Sequence, residues 1–203
     1  MNFVDEASIE AVGGRGGRGI VSFRRELYVP LGGPDGGNGG CGGDVIAIAD
    51  ERVRTLLDQR YRRWYRAEAG EHGGPKDQSG KSAPDLIVRV PPGTVLVDED
   101  TGEVLADLVD PGEQVVLAQG GRGGKGNAHF SGPIRRVPRF AQDGEEGTAR
   151  NVKLSLKLVA GVGLVGLPNA GKSTFIRAVT RSQAKVASYP CTTLGPNLGV
   201  VRI

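Results

Sequence analysis

A mainly β, glycine-rich domain followed by the start of an α/β phosphate-binding domain is the fold class this sequence predicts, and three observations predict it. The chain of 203 residues contains 34 glycines, far above the roughly 7% of ordinary proteins, with 28 in residues 1–150 and 6 in residues 151–203. Short β-like runs recur between those glycines. A G-x-x-x-x-G-K-S sequence, Gly166 to Ser173, stands after an apolar run and before a helical one. The length suits one large or two small domains.

Charge divides at the same place as glycine. Residues 1–150 hold 19 Lys/Arg and 23 Asp/Glu, a net of −4, whereas residues 151–203 hold 7 Lys/Arg and no acid, a net of +7. The basic balance therefore belongs to the C-terminal stretch and is no general nucleic-acid signature. Cys41 and Cys191 lie far apart and form neither a secreted disulfide framework nor a metal cluster. Residues 1–6 show no basic segment followed by an apolar core, so no secretory leader is expected there. The apolar stretch at residues 158–167 is too short to cross a bilayer and contains three glycines. A cytoplasmic, monomeric protein without membrane contact is expected.

In the glycine-rich region, residues 20–24, 44–48, 85–90, 94–97 and 113–117 alternate apolar and polar positions at least in part. Bounded by Gly, Pro and Asp, such runs read as half-buried strands, and several together predict a sandwich or barrel. Residues 98–103 read as a hairpin turn. The glycine clusters fall at residues 13–19, 32–43 and 120–126, and glycine pairs recur every three residues at 36/37, 39/40 and 42/43. Close-packed, extended left-handed helices require that period, since only hydrogen fits where they touch. A flexible linker is the plainer reading of such composition, but a linker has no reason to return to one spacing.

Arg60, Tyr61, Arg62, Arg63, Trp64, Tyr65 and Arg66 form the densest basic–aromatic run. Such a run suits phosphate neutralisation and base stacking; equally, its aromatics could pack on a sheet and its charges meet nearby acids. Leu56 and Leu57 can anchor a short helical turn. His72 and His129 stand alone in loop-like sequence and read as surface residues. From Asn151 the texture changes: residues 152–158 alternate as a strand, residues 161–165 read as a buried strand, and residues 173–181 as a helix. Strand, glycine loop, helix opens an α/β domain.

Gly166, Leu167, Pro168, Asn169, Ala170, Gly171, Lys172 and Ser173 carry the chemistry. Glycines let backbone N–H groups converge on phosphates at the positive end of the following helix. Lys172 reaches the β- and γ-phosphates and the Ser173 hydroxyl reaches Mg²⁺. Gly161, Gly163 and Gly166 also satisfy a dinucleotide pattern, but no acid follows in residues 181–188 to hold a ribose. Downstream, Cys191, Thr192, Thr193, Leu194 and Gly195 precede a strand-like run at residues 198–201. A threonine about 20 residues after the loop serine fits a switch residue that completes a Mg²⁺ shell; a plain strand start is the alternative.

Taken together, residues 1–7, 22–26, 32–37, 42–45, 169–174 and 189–194 resemble the Obg (CgtA) GTPases along essentially the whole chain. That resemblance implies an Obg fold at residues 1–159, with left-handed glycine helices on a β-barrel or sandwich base. A Ras-like G domain would begin at residues 160–203. It implies Mg²⁺-dependent binding of GTP and GDP and slow GTP hydrolysis. The implied roles are assembly of the large ribosomal subunit and growth or stringent control, with ribosomal RNA and ribosomal proteins as partners. By matching position, Gly166 to Ser173 would hold phosphates, Ser173 and Thr193 would ligate Mg²⁺, and Cys191 to Gly195 would form the switch. Cys191 and Gly195 depart from the family's usual Phe and Val. No Asp-x-x-Gly or Asn-Lys-x-Asp follows, and no catalytic base is identified, so this chain alone is expected to be inactive. Another P-loop NTPase, or a non-catalytic glycine-rich RNA-docking module, are the competing readings.

Overall fold

Alternation of buried and exposed side chains builds two sheets that share one apolar core. The computed structural model describes residues 4–25, 32–133, 136–157, 164–166 and 170–179, in two compact units, Asn2–Lys157 and Leu158–Ile203 with Met1. In the first unit, β1 (Glu6–Val12), β3 (Trp64–Arg66), β5 (Thr94–Asp98), β6 (Val104–Leu108) and β8 (Ala149–Leu156) form a five-stranded sheet in the order β3-β1-β8-β5-β6. β2 (Val45–Ala49), β4 (Leu86–Val90) and β7 (Gln114–Ala118) form a three-stranded sheet in the order β4-β2-β7. Ala7, Ile9 and Ala11 of β1, Val152 and Leu154 of β8, Val45 and Ala47 of β2, and Val88 and Val90 of β4 point into the common core. Period-two burial fixes the register, because a slip of one residue would turn the apolar set outward.

β8 settles the strand expected at residues 152–158: it pairs antiparallel with β1, Glu6 facing Ser155, and with β5, Thr94 facing Leu156. The turn expected at residues 98–103 joins β5 to antiparallel β6. Asp98 accepts the amides of Asp100 and Thr101 and pairs with Arg150 at 3.1 Å, while Gly102 takes φ +72°, a conformation that favours glycine.

The glycine clusters are ordered, and their hydrogen bonds step by three. The amides of Gly13, Gly16 and Gly19 donate to the carbonyls of Thr148, Glu145 and Gln142; those of Gly14, Gly17 and Ile20 donate to Gly43, Gly40 and Gly37, all at 2.8–3.2 Å. The carbonyls of Arg15 and Arg18 accept from Gly70 and Gly73, and those of Gly14 and Gly17 from Gly121 and Gly124. One extended segment thus touches four neighbours, as threefold left-handed helices in a bundle do. A Cβ on Gly14 would lie 1.8 Å from the Glu68 carbonyl oxygen, and one on Gly39 2.0 Å from that of Gly17. These bundle glycines need no positive φ; size, not backbone freedom, selects them. The remaining positions face solvent, where Arg15 pairs with Glu146 and Arg18 with Asp143. Exposed pairs of this kind contribute little to stability.

The strand expected at residues 20–24 is absent. Only one bridge, Phe23 to Pro34, forms there, flanked by two backbone bonds, from Arg24 N–H to the Gly33 carbonyl and from Asp35 N–H to the Ser22 carbonyl, too short a pairing for a strand. Asn127 ties this end together. It is fully buried, its Oδ1 accepts from Gly36 N–H at 2.9 Å and Ser22 N–H at 3.3 Å, and its Nδ2 donates to the Ser22 and Pro138 carbonyls at 2.9 and 3.2 Å. Asn127→Ala leaves those backbone groups without their partner, and is expected to cost about 3 kcal/mol. A lower urea midpoint with an unchanged m-value checks it.

The short helix expected after Leu56 is α1 (Leu57–Tyr61). Leu56 is fully buried. β3 then runs parallel to β1, Glu10 facing Trp64. Of the three aromatics, only Tyr65 packs inward; Trp64 is 71% and Tyr61 81% exposed. Burial raises the Tyr65 hydroxyl above its ordinary value of 10.0, opposed by the Arg62 guanidinium and helped by Asp58. The unfolded phenol ionises first, so this contribution is intact below pH 10 and is lost as pH climbs through the raised folded value. Tyr65 should therefore be among the last tyrosines to ionise in an alkaline absorbance titration, with stability falling above about pH 10.

Candidate phosphate-binding loop

The second unit presents α2 (Lys172–Val179) directly after a glycine. Gly171 has φ +81°, a left-handed turn that a Cβ would strain, and its carbonyl accepts the Phe175 amide at 2.9 Å. The chain therefore turns sharply and enters the helix at once. No acidic residue occupies the first turn of α2, so no carboxylate competes for the positive end of the helix.

Lys172 folds back across the loop, where its Nζ donates to the Gly166 carbonyl at 2.6 Å. Two residues six apart in sequence are thereby joined by the Lys172 side chain. A Cβ on Gly166 would come 3.6 Å from the Lys172 side chain and 3.9 Å from that of Ala170, so Gly166 sits in ordinary contact with the two residues that face it. A cation, a left-handed glycine and a helix start within seven residues make an anion cradle. The residues present fit a phosphate group.

Of the predicted site residues, the structure describes Gly166, Ala170, Gly171 and Lys172, and brings them together. Ser173 lies in the first turn of α2; its side chain is outside the described residues. Leu167, Pro168, Asn169, Cys191, Thr192, Thr193, Leu194 and Gly195 also lie outside them, as does the strand-like run at residues 198–201. The buried strand expected at residues 161–165 needs correction in its described part. Leu164 is 44% and Val165 99% exposed, and neither is in a strand. Among the described residues no strand pairs with them, and a strand of a parallel sheet is buried only when neighbours and covering helices exist.

Neither histidine joins a site. His72 accepts the Arg18 amide through Nδ1 at 2.9 Å, and His129 packs edge-on against Phe130. Among the described residues no group of three or more His, Cys, Asp or Glu is placed to hold a metal ion, and no helix is long and apolar enough to cross a membrane. The contact between Lys172 and the Gly166 carbonyl had no sequence signal beyond the motif spacing. Asn127, which organises the far end of the glycine bundle, had none: it reads as one polar residue in a glycine-rich stretch.

Residues 4–158 match the family described as GTP1/OBG, and residues 161–203 match one described as 50S ribosome-binding GTPase. The chain is 59% identical over 201 residues to the GTPase Obg of Moorella thermoacetica, covering 99% of this chain and 48% of that protein. It is 57% identical over 201 residues to the GTPase Obg of Acetivibrio thermocellus, covering 99% and 47%. Against the GTPase Obg of Chloroherpeton thalassium it is 54% identical over 200 residues, covering 98% and 60%. The chain thus spans about half the length of the curated relatives it matches.

Proposed function

Because this chain belongs to the GTP1/OBG family, we propose that it is the glycine-rich domain and the phosphate-binding opening of a GTPase that binds GTP and GDP. The single observation that carries this reading is the contact of the Lys172 ammonium with the Gly166 carbonyl, beside the left-handed Gly171 at the start of α2. Its chemistry follows from its own residues. The Lys172 ammonium contributes a charge that a phosphate oxygen accepts more strongly than the neutral Gly166 carbonyl does. Amides at the start of α2 have no partner within the helix and donate outward to an anion. Gly171 keeps that approach open by carrying no side chain.

On this reading Ser173 and Thr193 would hold Mg²⁺, which supplies charge neutralisation between the phosphate oxygens. Cys191 to Gly195 would form the switch segment that responds to the γ-phosphate. The proposed division places the glycine-rich domain at residues 1–159 and the G domain from residue 160. Action in assembly of the large ribosomal subunit, with growth and stringent control, extends the same reading. It is supported by the likeness to proteins named GTPase Obg and by the family description of residues 161–203. A monomer in the cytoplasm is the state proposed for it.

Nucleotide competition tests the reading. In a protein of the relatives' length, GTP and GDP should displace a fluorescent guanine nucleotide and ATP should not; equal displacement by ATP would make it another P-loop NTPase. In the present chain, residues 151–203 contain no Asp or Glu, so no carboxylate from this stretch reads guanine. Weak binding that does not distinguish bases, with negligible turnover, is expected there.

A further inference from the structure

We propose that the surface made by the end of α1 and by β3 docks unpaired RNA, with Trp64 as the stacking platform and Arg60, Arg63 and Arg66 on the phosphates. The proposal concerns the first unit and does not rest on nucleotide binding by the second.

Trp64 is the only tryptophan of the chain, and it is 71% exposed on β3, at the edge of the five-stranded sheet. Tyr61, 81% exposed, ends α1 three residues earlier. Arginines surround both. Arg62 is held over the Tyr65 ring at 4.9 Å, but no carboxylate lies within ion-pair distance of Arg60, Arg63 or Arg66 among the described residues. They are three exposed arginines within seven residues, in a region of net charge −4.

A cleft lies beside them. Arg60 and Arg63 line it together with Glu6, Ser8, Glu99 and Lys153. Glu6 pairs with Lys153 at 3.2 Å, and Glu99 accepts the Ser8 hydroxyl at 2.5 Å while keeping its charge. Arg60, Arg63 and Lys153 outnumber Glu6 and Glu99, so the cleft is locally positive on an acidic domain. Charge on an edge strand also deters strand pairing, which accounts for Arg66 but not for an exposed tryptophan and tyrosine. Arginines interleaved with exposed aromatics match single-stranded nucleic acid, whose bases stack and whose phosphates need cations. A-form duplex offers no free base to Trp64.

Trp64 is its own reporter. A non-pairing single-stranded RNA of about 12 nucleotides, within the span of one such surface, is titrated into the chain at low salt. Quenching of the single tryptophan should saturate together with the anisotropy of a labelled RNA. Trp64→Ala should weaken binding by about 5- to 100-fold and Trp64→Phe by much less, since base stacking is retained. Arg60→Ala with Arg63→Ala should weaken it further and reduce the salt slope by about 1.4, the share of two phosphate contacts on a single strand. Arg122→Ala with Lys125→Ala, on the glycine bundle, should leave binding unchanged, and each variant should melt as the parent does. The proposal is overturned if RNA binds without quenching Trp64 and Trp64→Ala is neutral, or if duplex RNA competes equally. It is also overturned if polyglutamate displaces the RNA at equal charge, which would mark an acidic protein site. Loss of GTP binding would not touch any of these readouts.

Discussion

Gly17→Ala is expected to lower the melting temperature of the first unit by roughly 10 °C. The new Cβ would lie 1.9 Å from the Glu71 carbonyl oxygen, a backbone atom that cannot rotate aside. Two extended segments must separate, and the bond from Gly73 N–H to the Arg18 carbonyl, now 2.9 Å, stretches with them. Overpacking costs about 1–3 kcal/mol and sometimes more, and a broken buried hydrogen bond adds about 1 kcal/mol. A total of about 3–4 kcal/mol converts to that shift at roughly 2–4 °C per kcal/mol. Gly33→Ala is the control, because nothing lies within 4 Å of its added Cβ and its φ is not left-handed. It should change stability by no more than about 0.5 kcal/mol. Equal melting temperatures for the two variants would mean that the bundle relaxes freely and that close packing does not select its glycines.

Lys172→Ala should weaken GTP binding by about one to two orders of magnitude in a protein of the relatives' length, the range of a lost charge-assisted hydrogen bond of about 1.5–3 kcal/mol. GDP should lose less, because it lacks the γ-phosphate that Lys172 also reaches. The substitution removes a surface cation and its contact to the Gly166 carbonyl, so circular dichroism should be unchanged while calorimetric affinity falls. Undiminished GTP affinity in Lys172→Ala would refute the assignment of this loop to the phosphates.

Much of the fold was legible because its signals are local. β2, β4, β5 and β7 are runs rich in Val, Ile or Leu bounded by Gly, Pro or Asp, and each lies within a residue or two of its expected place. β1 was not legible: its buried positions include Ala7 and Ala11, small residues with weak strand preference, and it is a strand because β8 and β3 bond to it on either side. β3 has only three residues and alternates arginine with aromatics, which hides its single buried position, Tyr65. In the candidate site, the turn into α2 at Gly171 was legible, because a glycine directly before a helical run marks such a turn. The strand before it was not, since burial depends on neighbours that periodicity alone cannot supply.

The sequence by itself determined where glycine must stand, and it marked Gly166 to Ser173 as the candidate phosphate loop. A threefold repeat admits no side chain at the contacts of packed extended helices, and a phosphate loop tolerates few residue types. Only the tertiary structure decided which segments touch. The partners of residues 13–20 come from residues 36–43, 68–74, 119–127 and 142–148, distances along the chain that no local pattern encodes. It also decided that Tyr65 turns inward while Trp64 and Tyr61 face solvent, because a strand's alternation sends neighbours to opposite faces once one face has found the core.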